Sequence, residues 1–374
     1  MKIGITCYPT YGGSGVVATE LGIYLARDGH EVHFISYAIP YRLNRFHKNL
    51  YFHEVEVVDY PVFQYPPYSL ALASKIVEVA ENVQLDIIHA HYVIPHATSA
   101  CLARDILEDG SLKVITTLHG TDITLVGQHP SFKRTVQHSI NKSDGVTSVS
   151  EYLAMETRQA FTITKDIHVI PNFIPTNFLE LQDKPISIKK HTPDEPFIIC
   201  HISNFRPLKR VKDIVLIVEQ LVRRFPVLVY MVGDGPERSL VEYMVHEKNL
   251  KQYFTFLGKQ DRVSDILLNS DLFLLPSESE SFGLAALEAM ACGVPCVTSD
   301  AGGLPEVNID GKTGFIVPVG QIEQYVRQIQ MLRFDPELRE QFAINAKKIA
   351  FENFHPDNIT PLYLNFYEQV LNRE

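Results

Sequence analysis

Residues 1–36, MKIGITCYPTYGGSGVVATELGIYLARDGHEVHFIS, hold the reading that decides the fold. Residues 2–7 are an apolar run of single-strand length, a glycine-rich turn follows, and residues 16–27 carry apolar side chains at helical spacing before a second apolar run at 31–36. Strand, helix and strand in that order make a parallel pair joined by a crossover. Further β-rich runs lie at 54–58, 86–90, 113–118, 145–149 and 168–170, most of them separated by helical stretches such as 70–83 and 95–107. The rhythm breaks at 171–196, where Pro171, Pro175, Pro185, Pro193 and Pro196 stand among charged residues with little apolar periodicity, the composition of a linker. It restarts with runs at 197–202, 228–232, 253–257, 271–275, 295–298 and 314–317, and helical segments follow at 336–352 and 356–371. The prediction is α/β: two doubly wound domains hinged near 171–194. Ligands in such sheets bind beyond the C-terminal strand ends, so two facing domains would share one cleft.

Length and charge narrow the class. A chain of 374 residues suits two domains, and 45% hydrophobic with 21% charged residues excludes disorder, collagen and coiled coil. With 44 acidic against 34 basic residues the formal charge is −10, which argues against nucleic acid or anionic lipid as a partner while leaving a local basic patch open. Cys7, Cys101, Cys200, Cys292 and Cys296 are odd in number and contain no C-x-x-C pair, so no disulfide framework or zinc site is expected and a reducing, cytoplasmic setting fits. The N-terminus lacks signal-peptide features, and the longest apolar stretch, residues 283–297, is broken by Glu288, so a soluble protein is expected.

In the first half, Gly13-Ser14-Gly15-Val16-Val17-Ala18 fits a dinucleotide fingerprint on paper, but the preceding loop is long and no carboxylate closes the second run. What remains is a helix N-terminus suited to a phosphate or carboxylate, or a loop that merely turns. Residues 40–48, PYRLNRFHK, carry Arg42, Arg45 and Lys48 with no acid; they suit a small di-anion, a solvated charged face or, less well, a membrane surface. His89 and His91 are expected to point to opposite faces of a strand, poorly placed as joint metal ligands. His119, before Gly120 at a strand end, is a candidate for touching a reacting substrate, or else a buried, satisfied histidine.

In the second half, Ser203-Asn204-Phe205-Arg206-Pro207-Leu208-Lys209-Arg210 brings cations to a strand end, where they could clamp a diphosphate. Val232-Gly233-Asp234-Gly235-Pro236 is a turn that admits another backbone or a base. Glu280 stands in a loop, Glu288 about two turns into a helix starting near Phe282, and Gly283 opens the first N–H groups of that helix to a phosphate. An acid-rich N-cap would read the same way.

Glu280-x7-Glu288 within ESFGLAALEAMACGVPCV, followed by Ala301-Gly302-Gly303-Leu304-Pro305-Glu306 and Gly311-Lys312-Thr313-Gly314-Phe315, resembles the retaining GT-B glycosyltransferases of family four across nearly the whole chain. The resemblance implies two Rossmann-like domains facing a central cleft. Residues 1–170 would bind the acceptor, 171–195 would be the linker and 196–355 would bind the nucleotide sugar, with the helix at about 356–374 packing back on the first domain. Of the family's Arg-x4-Lys pair, Lys209 matches the lysine; Asn204 stands in the arginine's place, with Arg206 two residues on. Cys7-Tyr8-Pro9, Gly12-Gly13-Ser14-Gly15, Ile39-Pro40-Tyr41-Arg42-Leu43-Asn44, His89-Ala90-His91-Tyr92, Leu118-His119-Gly120-Thr121-Asp122 and Ser203-Asn204-Phe205-Arg206 are similar to one branch of that family. That branch moves GlcNAc from UDP-GlcNAc to the hydroxyl of L-malate with the anomeric configuration kept, the first step of bacillithiol biosynthesis.

By that resemblance Glu288 holds the uridine ribose, Gln260 lies near the uracil and Glu280 binds hydroxyls of the transferred sugar. Backbone N–H groups of Phe282, Gly283 and Leu284 meet sugar or phosphate, and Gly13, Asn204 and Ser281 complete the donor set. His119, Arg206, Lys209 and Glu280 are the implied catalytic residues. Gly13, Ser14, Tyr92, Thr121 and a cation from Arg42 or Arg134 take the acceptor. No metal and no cofactor is implied, nor is nucleic acid or stable membrane association; a homo-oligomer is compatible. Alternatives are a related transferase with an inositol phosphate or lipid acceptor, and a nucleotide-sugar sensor without turnover.

Overall fold

The computed structural model describes residues 1–373 apart from Tyr11, Asn44, Arg45, Asp59, Asp109 and Ser187. They divide into two units, Met1–Pro175 with Pro356–Glu374, and Thr176–His355.

The first unit carries strands β1 (Lys2–Thr6), β2 (Glu31–Ser36), β3 (Leu50–Glu54), β4 (Ile87–His91), β5 (Lys113–Leu118), β6 (Gly145–Ser148) and β7 (Ile167–Val169). They pair in parallel in the order β3-β2-β1-β4-β5-β6-β7. All five residues of β4 are buried, as expected of a strand covered on both faces, which is why these strands read as unbroken apolar runs. The sequence places the third strand at 54–58; the structure places it four residues earlier. Its register on β2 runs from Val32↔Leu50 to Ser36↔Glu54, and β2 ends there, so the alternating residues beyond Glu54 have no strand to pair with. Helix Pro356–Leu371 belongs to this unit and buries Ile359, Tyr363, Phe366, Tyr367 and Val370. Phe366 fills the space beside Gly145 on β6, where an added Cβ would lie 2.8 Å from its ring.

The second unit carries β8 (Phe197–Ile202), β9 (Val227–Val232), β10 (Phe254–Gly258), β11 (Leu272–Leu275), β12 (Cys296–Ser299) and β13 (Gly314–Val317), parallel in the order β10-β9-β8-β11-β12-β13. Residues 184–195, which read as linker, are tied into this unit by buried cations. Lys347 Nζ donates to the Lys184 carbonyl at 2.5 Å, Arg333 donates to that of Thr192 at 2.8 Å, and Arg339 donates to that of Lys189. His191 Nε2 also lies 2.7 Å from Asp271 Oδ1.

In each sheet the chain reverses direction of travel at one place, between β1 and β4 and between β8 and β11. Doubly wound sheets open a binding crevice at the C-terminal strand ends of such a point. Most motifs singled out in the sequence follow β1, β4 and β5 in the first unit and β8, β9, β11 and β12 in the second, while residues 40–48 follow β2 and Gln260 follows β10.

Candidate active site

In the first unit, helix Ser14–Arg27 starts after Gly13, which has φ 60° and offers no side-chain cap, so its leading N–H groups depend on another acceptor. Tyr8 joins this glycine loop to the turn after β4: its ring meets Tyr92 edge-on at 5.3 Å and His96 at 4.6 Å, and its hydroxyl donates to the Ile94 carbonyl at 3.2 Å. Tyr92 itself has φ 92°, a strained setting for a non-glycine residue, and strain of that kind persists where surrounding structure enforces it. Its ring lies parallel to that of His119, 6.2 Å away, and His119 Nε2 is 3.0 Å from His91 Nδ1. Burial pushes the His119 imidazole down to about 3, so the ring is neutral at physiological pH.

Asp122, absent from the sequence-derived set, organises this corner. Its Oδ1 accepts from Gly120 N at 2.8 Å and His119 N at 3.2 Å, and its Oδ2 accepts from Val93 N at 3.2 Å. One buried carboxylate thus fixes the turn bearing His119 and Thr121 against the turn bearing Tyr92. Burial raises its pKa to about 6 even against those three N–H donors.

Arg42 is held by Glu20 of helix Ser14–Arg27, a carboxylate 3% exposed, and lies over the Tyr41 ring at 5.7 Å. Its charge is therefore already paired inside the unit. Arg134 is exposed on helix Pro130–Lys142, with nothing in its geometry joining it to the His119 corner. Arg45, the third cation of the basic stretch, lies outside the described residues.

In the second unit the loops after β8 and β11 meet. Lys209 Nζ forms a 2.6 Å ion pair with Glu280 Oε1, Ser277 Oγ donates to the same oxygen at 2.9 Å, and Glu278 N donates to the Leu208 carbonyl at 2.7 Å. Phe205 is fully buried at φ 38° and anchors the loop, while Asn204 and Arg206 on either side are exposed. The Gly233–Gly235 turn admits neighbouring backbone: a Cβ at Gly233 would fall 1.8 Å from the Ser203 carbonyl oxygen. Gly302, with φ 62°, backs Glu280 in the same way, a Cβ there meeting the Glu280 carbonyl oxygen at 1.9 Å. Helix Leu284–Ala291 starts two residues later than expected, so Glu288 stands about one turn in. Its N-cap is Gly283 at φ 103° with no side-chain cap, and Phe282 is buried just before it. Ser281 and Glu288 are both partly buried. Gln260 follows β10, two strands from the reversal, and its amide donates to the Leu257 carbonyl at 2.6 Å.

The structure therefore brings together His119, Tyr92 and Thr121 in one unit, and Lys209, Glu280 and the Gly283 helix start in the other. Glu20, Asp122, Phe205 and Ser277 were missed. Asp122 and Phe205 stood inside quoted motifs without a role, and Glu20 gave a signal as an acid inside the apolar run of a helix. Among the described residues no three His, Cys, Asp or Glu side chains converge to hold a metal, and no helix is long and apolar enough to cross a membrane.

Residues 11–178 match the family model described as Glycosyltransferase Family 4, and residues 183–349 match that described as Glycosyl transferases group 1. The chain is 46% identical over 372 residues, 99% of it and 97% of the relative, to N-acetyl-alpha-D-glucosaminyl L-malate synthase of Bacillus anthracis. It is 30% identical over 187 residues, 46% of this chain and 40% of the relative, to D-inositol 3-phosphate glycosyltransferase of Gordonia bronchialis. Among solved structures, Anabaena HepE in complex with UDP and glucose superposes with a TM-score of 0.79 at 20% identity, covering 98% of this chain and 99% of that one. Sucrose-phosphate synthase of Thermosynechococcus elongatus gives 0.79 at 19% identity, covering 99% of both.

Proposed function

Because the chain belongs to the family-four glycosyltransferases of GT-B fold, we propose that it transfers GlcNAc from UDP-GlcNAc to the hydroxyl of L-malate with retention, giving N-acetyl-α-D-glucosaminyl L-malate and UDP. The observation that carries this reading is the 46% identity, sustained over 99% of the chain, to a relative named for that product. The similarity to the inositol phosphate enzyme spans 46% of the chain and gives no comparable support for that acceptor.

The transfer breaks the bond between the sugar's anomeric carbon and the diphosphate oxygen and forms one to the malate hydroxyl oxygen; the hydroxyl proton passes to the leaving phosphate on the same face. Negative charge grows on the diphosphate as the bond breaks. Lys209, already at the β8 end, and the exposed Arg206 meet that charge with the open N–H groups of Phe282, Gly283 and Leu284. Pre-placed donors of this kind contribute about 2.7–4 kcal/mol each. Glu280, steadied by Lys209 and Ser277, takes sugar hydroxyls; Glu288 takes the ribose, Gln260 the uracil side, with Gly13, Asn204 and Ser281 completing the donor's surroundings. His119, neutral, hydrogen-bonds the sugar near the reacting carbon. Ser14 and the uncapped helix it begins, with Tyr92 and Thr121, take malate. Arg42, paired with Glu20, supplies a fixed cation rather than a free one, and exposed Arg134 is the outer alternative.

UDP release from UDP-GlcNAc, measured with L-malate, D-malate, inositol phosphate or no acceptor, tests the reading. Release with L-malate alone supports it. Release with inositol phosphate alone, or UDP-GlcNAc binding without turnover under any condition, overturns it.

A further inference from the structure

His91 is completely buried at the end of β4, outside the set of residues assigned to substrate, yet it is wired to one that is. Its Nδ1 lies 3.0 Å from His119 Nε2, while its Nε2 is buried with no hydrogen-bond partner. His89 and His91, expected on opposite faces of the strand, are two residues apart on β4 and share one face: the His91 ring packs against His89 at a 4.2 Å centroid distance on one side and faces His119 at 5.2 Å on the other. Burial, reinforced by the neighbouring imidazoles of His89, His119 and His96, holds it well below the ordinary histidine range, so it carries one ring proton. That proton has two places to be. On Nε2 it would be a buried N–H with nothing to receive it; on Nδ1 it has an acceptor at 3.0 Å, and the atom left without a partner is a lone pair. Orphaned buried N–H groups are the rarer and costlier outcome.

We infer that His91 is a positioning residue for His119: its Nδ1–H donates to His119 Nε2, which fixes His119 as the Nδ1–H tautomer and makes it a hydrogen-bond donor, not a proton acceptor, toward the bound sugar. A fixed tautomer held by a second residue is a familiar way to orient an imidazole. The inference rests on the proposed contact between His119 and the sugar; the direction of the imidazole–imidazole bond stands apart from it.

Long-range proton–nitrogen correlation spectra of the full chain labelled with 15N-histidine, with His119 assigned by the loss of its signals in His119→Gln, read the tautomer directly. A protonated Nδ1 on His119 is expected, and a protonated Nε2 overturns the inference. Steady-state kinetics supply the second arm. His91→Asn keeps an N–H near the Nδ1 position and should retain kcat within about threefold, whereas His91→Leu removes the donor and should lower kcat about tenfold, the worth of one net hydrogen bond, with UDP affinity unchanged. Equal losses in the two variants would reduce His91 to packing and overturn its positioning role. Normal kcat in His119→Gln would overturn the sugar contact while the spectra still reported the tautomer, so the two failures are distinguishable.

Discussion

Acid should unfold the first unit early, and the structure gives the size of the effect. His89, His96 and His119 are pushed by burial from 6.5 to about 3. Below pH 6.5 the unfolded chain takes up protons that these folded rings refuse, so stability is lost as pH falls from 6.5 towards 3. At pH 5 each ring has cost about 2 kcal/mol, 1.5 pH units at 1.36 kcal/mol per unit. Asp122 works the other way. Its folded pKa of about 6 lies above the ordinary 3.8, so the folded state takes the proton first and gains stability on acidification between those values. By pH 5 that gain is about 1 kcal/mol, too little to offset three histidines. The loss from these groups, roughly 5 kcal/mol, to which His91, also held well below the ordinary histidine range, adds in the same direction, is comparable with the whole stability of an ordinary domain. In the second unit only His201, lowered to about 4, shows the same effect, so that unit should outlast the first. The chain has no tryptophan, so far-UV circular dichroism and the near-UV tyrosine signal are the probes. A first transition is expected at about pH 4.5–5.5 from the histidine values. His96→Phe, which keeps a ring against Tyr8 without a titration, should be about 2 kcal/mol more favourable relative to wild type at pH 5 than at pH 7.5 in urea melts. Unchanged spectra and urea midpoints down to pH 4, or no pH dependence in the His96→Phe difference, would refute the reasoning.

Three further outcomes follow from the second unit and the last helix. Lys209→Met should cost at least about a hundredfold in rate and also lower the melting temperature, because Glu280 is left mostly buried without its cation; Lys209→Met with Glu280→Gln should recover stability and none of the rate, read by calorimetry and UDP release. Gly302→Ala forces a Cβ against the Glu280 carbonyl at positive φ, so UDP-GlcNAc turnover should collapse even in protein that remains folded by circular dichroism. Ending the chain at residue 355 uncovers the surface beneath Tyr363, Phe366, Tyr367 and Val370, each worth about 1.5–3 kcal/mol of burial, and should leave the first unit without cooperative unfolding.

The sheets were legible because their central strands are buried on both faces, so each run of apolar residues there marks one strand. The exception is instructive: residues 54–58 alternate well, but strand length at that edge is set by where β2 stops, which no local pattern records. The proline-rich stretch read as a linker because its own residues are polar, whereas what ties down residues 184–195 is a set of cations on helices more than a hundred residues away, donating to backbone carbonyls. Arg42 suffered the same blindness. Its place in a basic run was visible, its pairing with Glu20 was not.

The candidate site divides along the same line. Residues proposed to meet a ligand, such as Lys209, Glu280, Gly283 and His119, stand out in sequence because a charge, a glycine or an imidazole at a strand end has few local explanations. Residues that hold them in place do not, because their partners are backbone groups. Asp122 spends its carboxylate on Val93, His119 and Gly120, and Phe205 buries its ring so that its two neighbours face out. At the first reversal one buried carboxylate locks two adjacent strand-end loops; at the second, the loops after β8 and β11 are joined by the Glu278–Leu208 backbone bond and the Lys209–Glu280 pair. In the first unit the locked groups are neutral imidazole and tyrosine; in the second they are an ion pair and an open helix start. In the proposed transfer, charge growing on a diphosphate would be met by the second set, and a hydroxyl acceptor beside a sugar by the first.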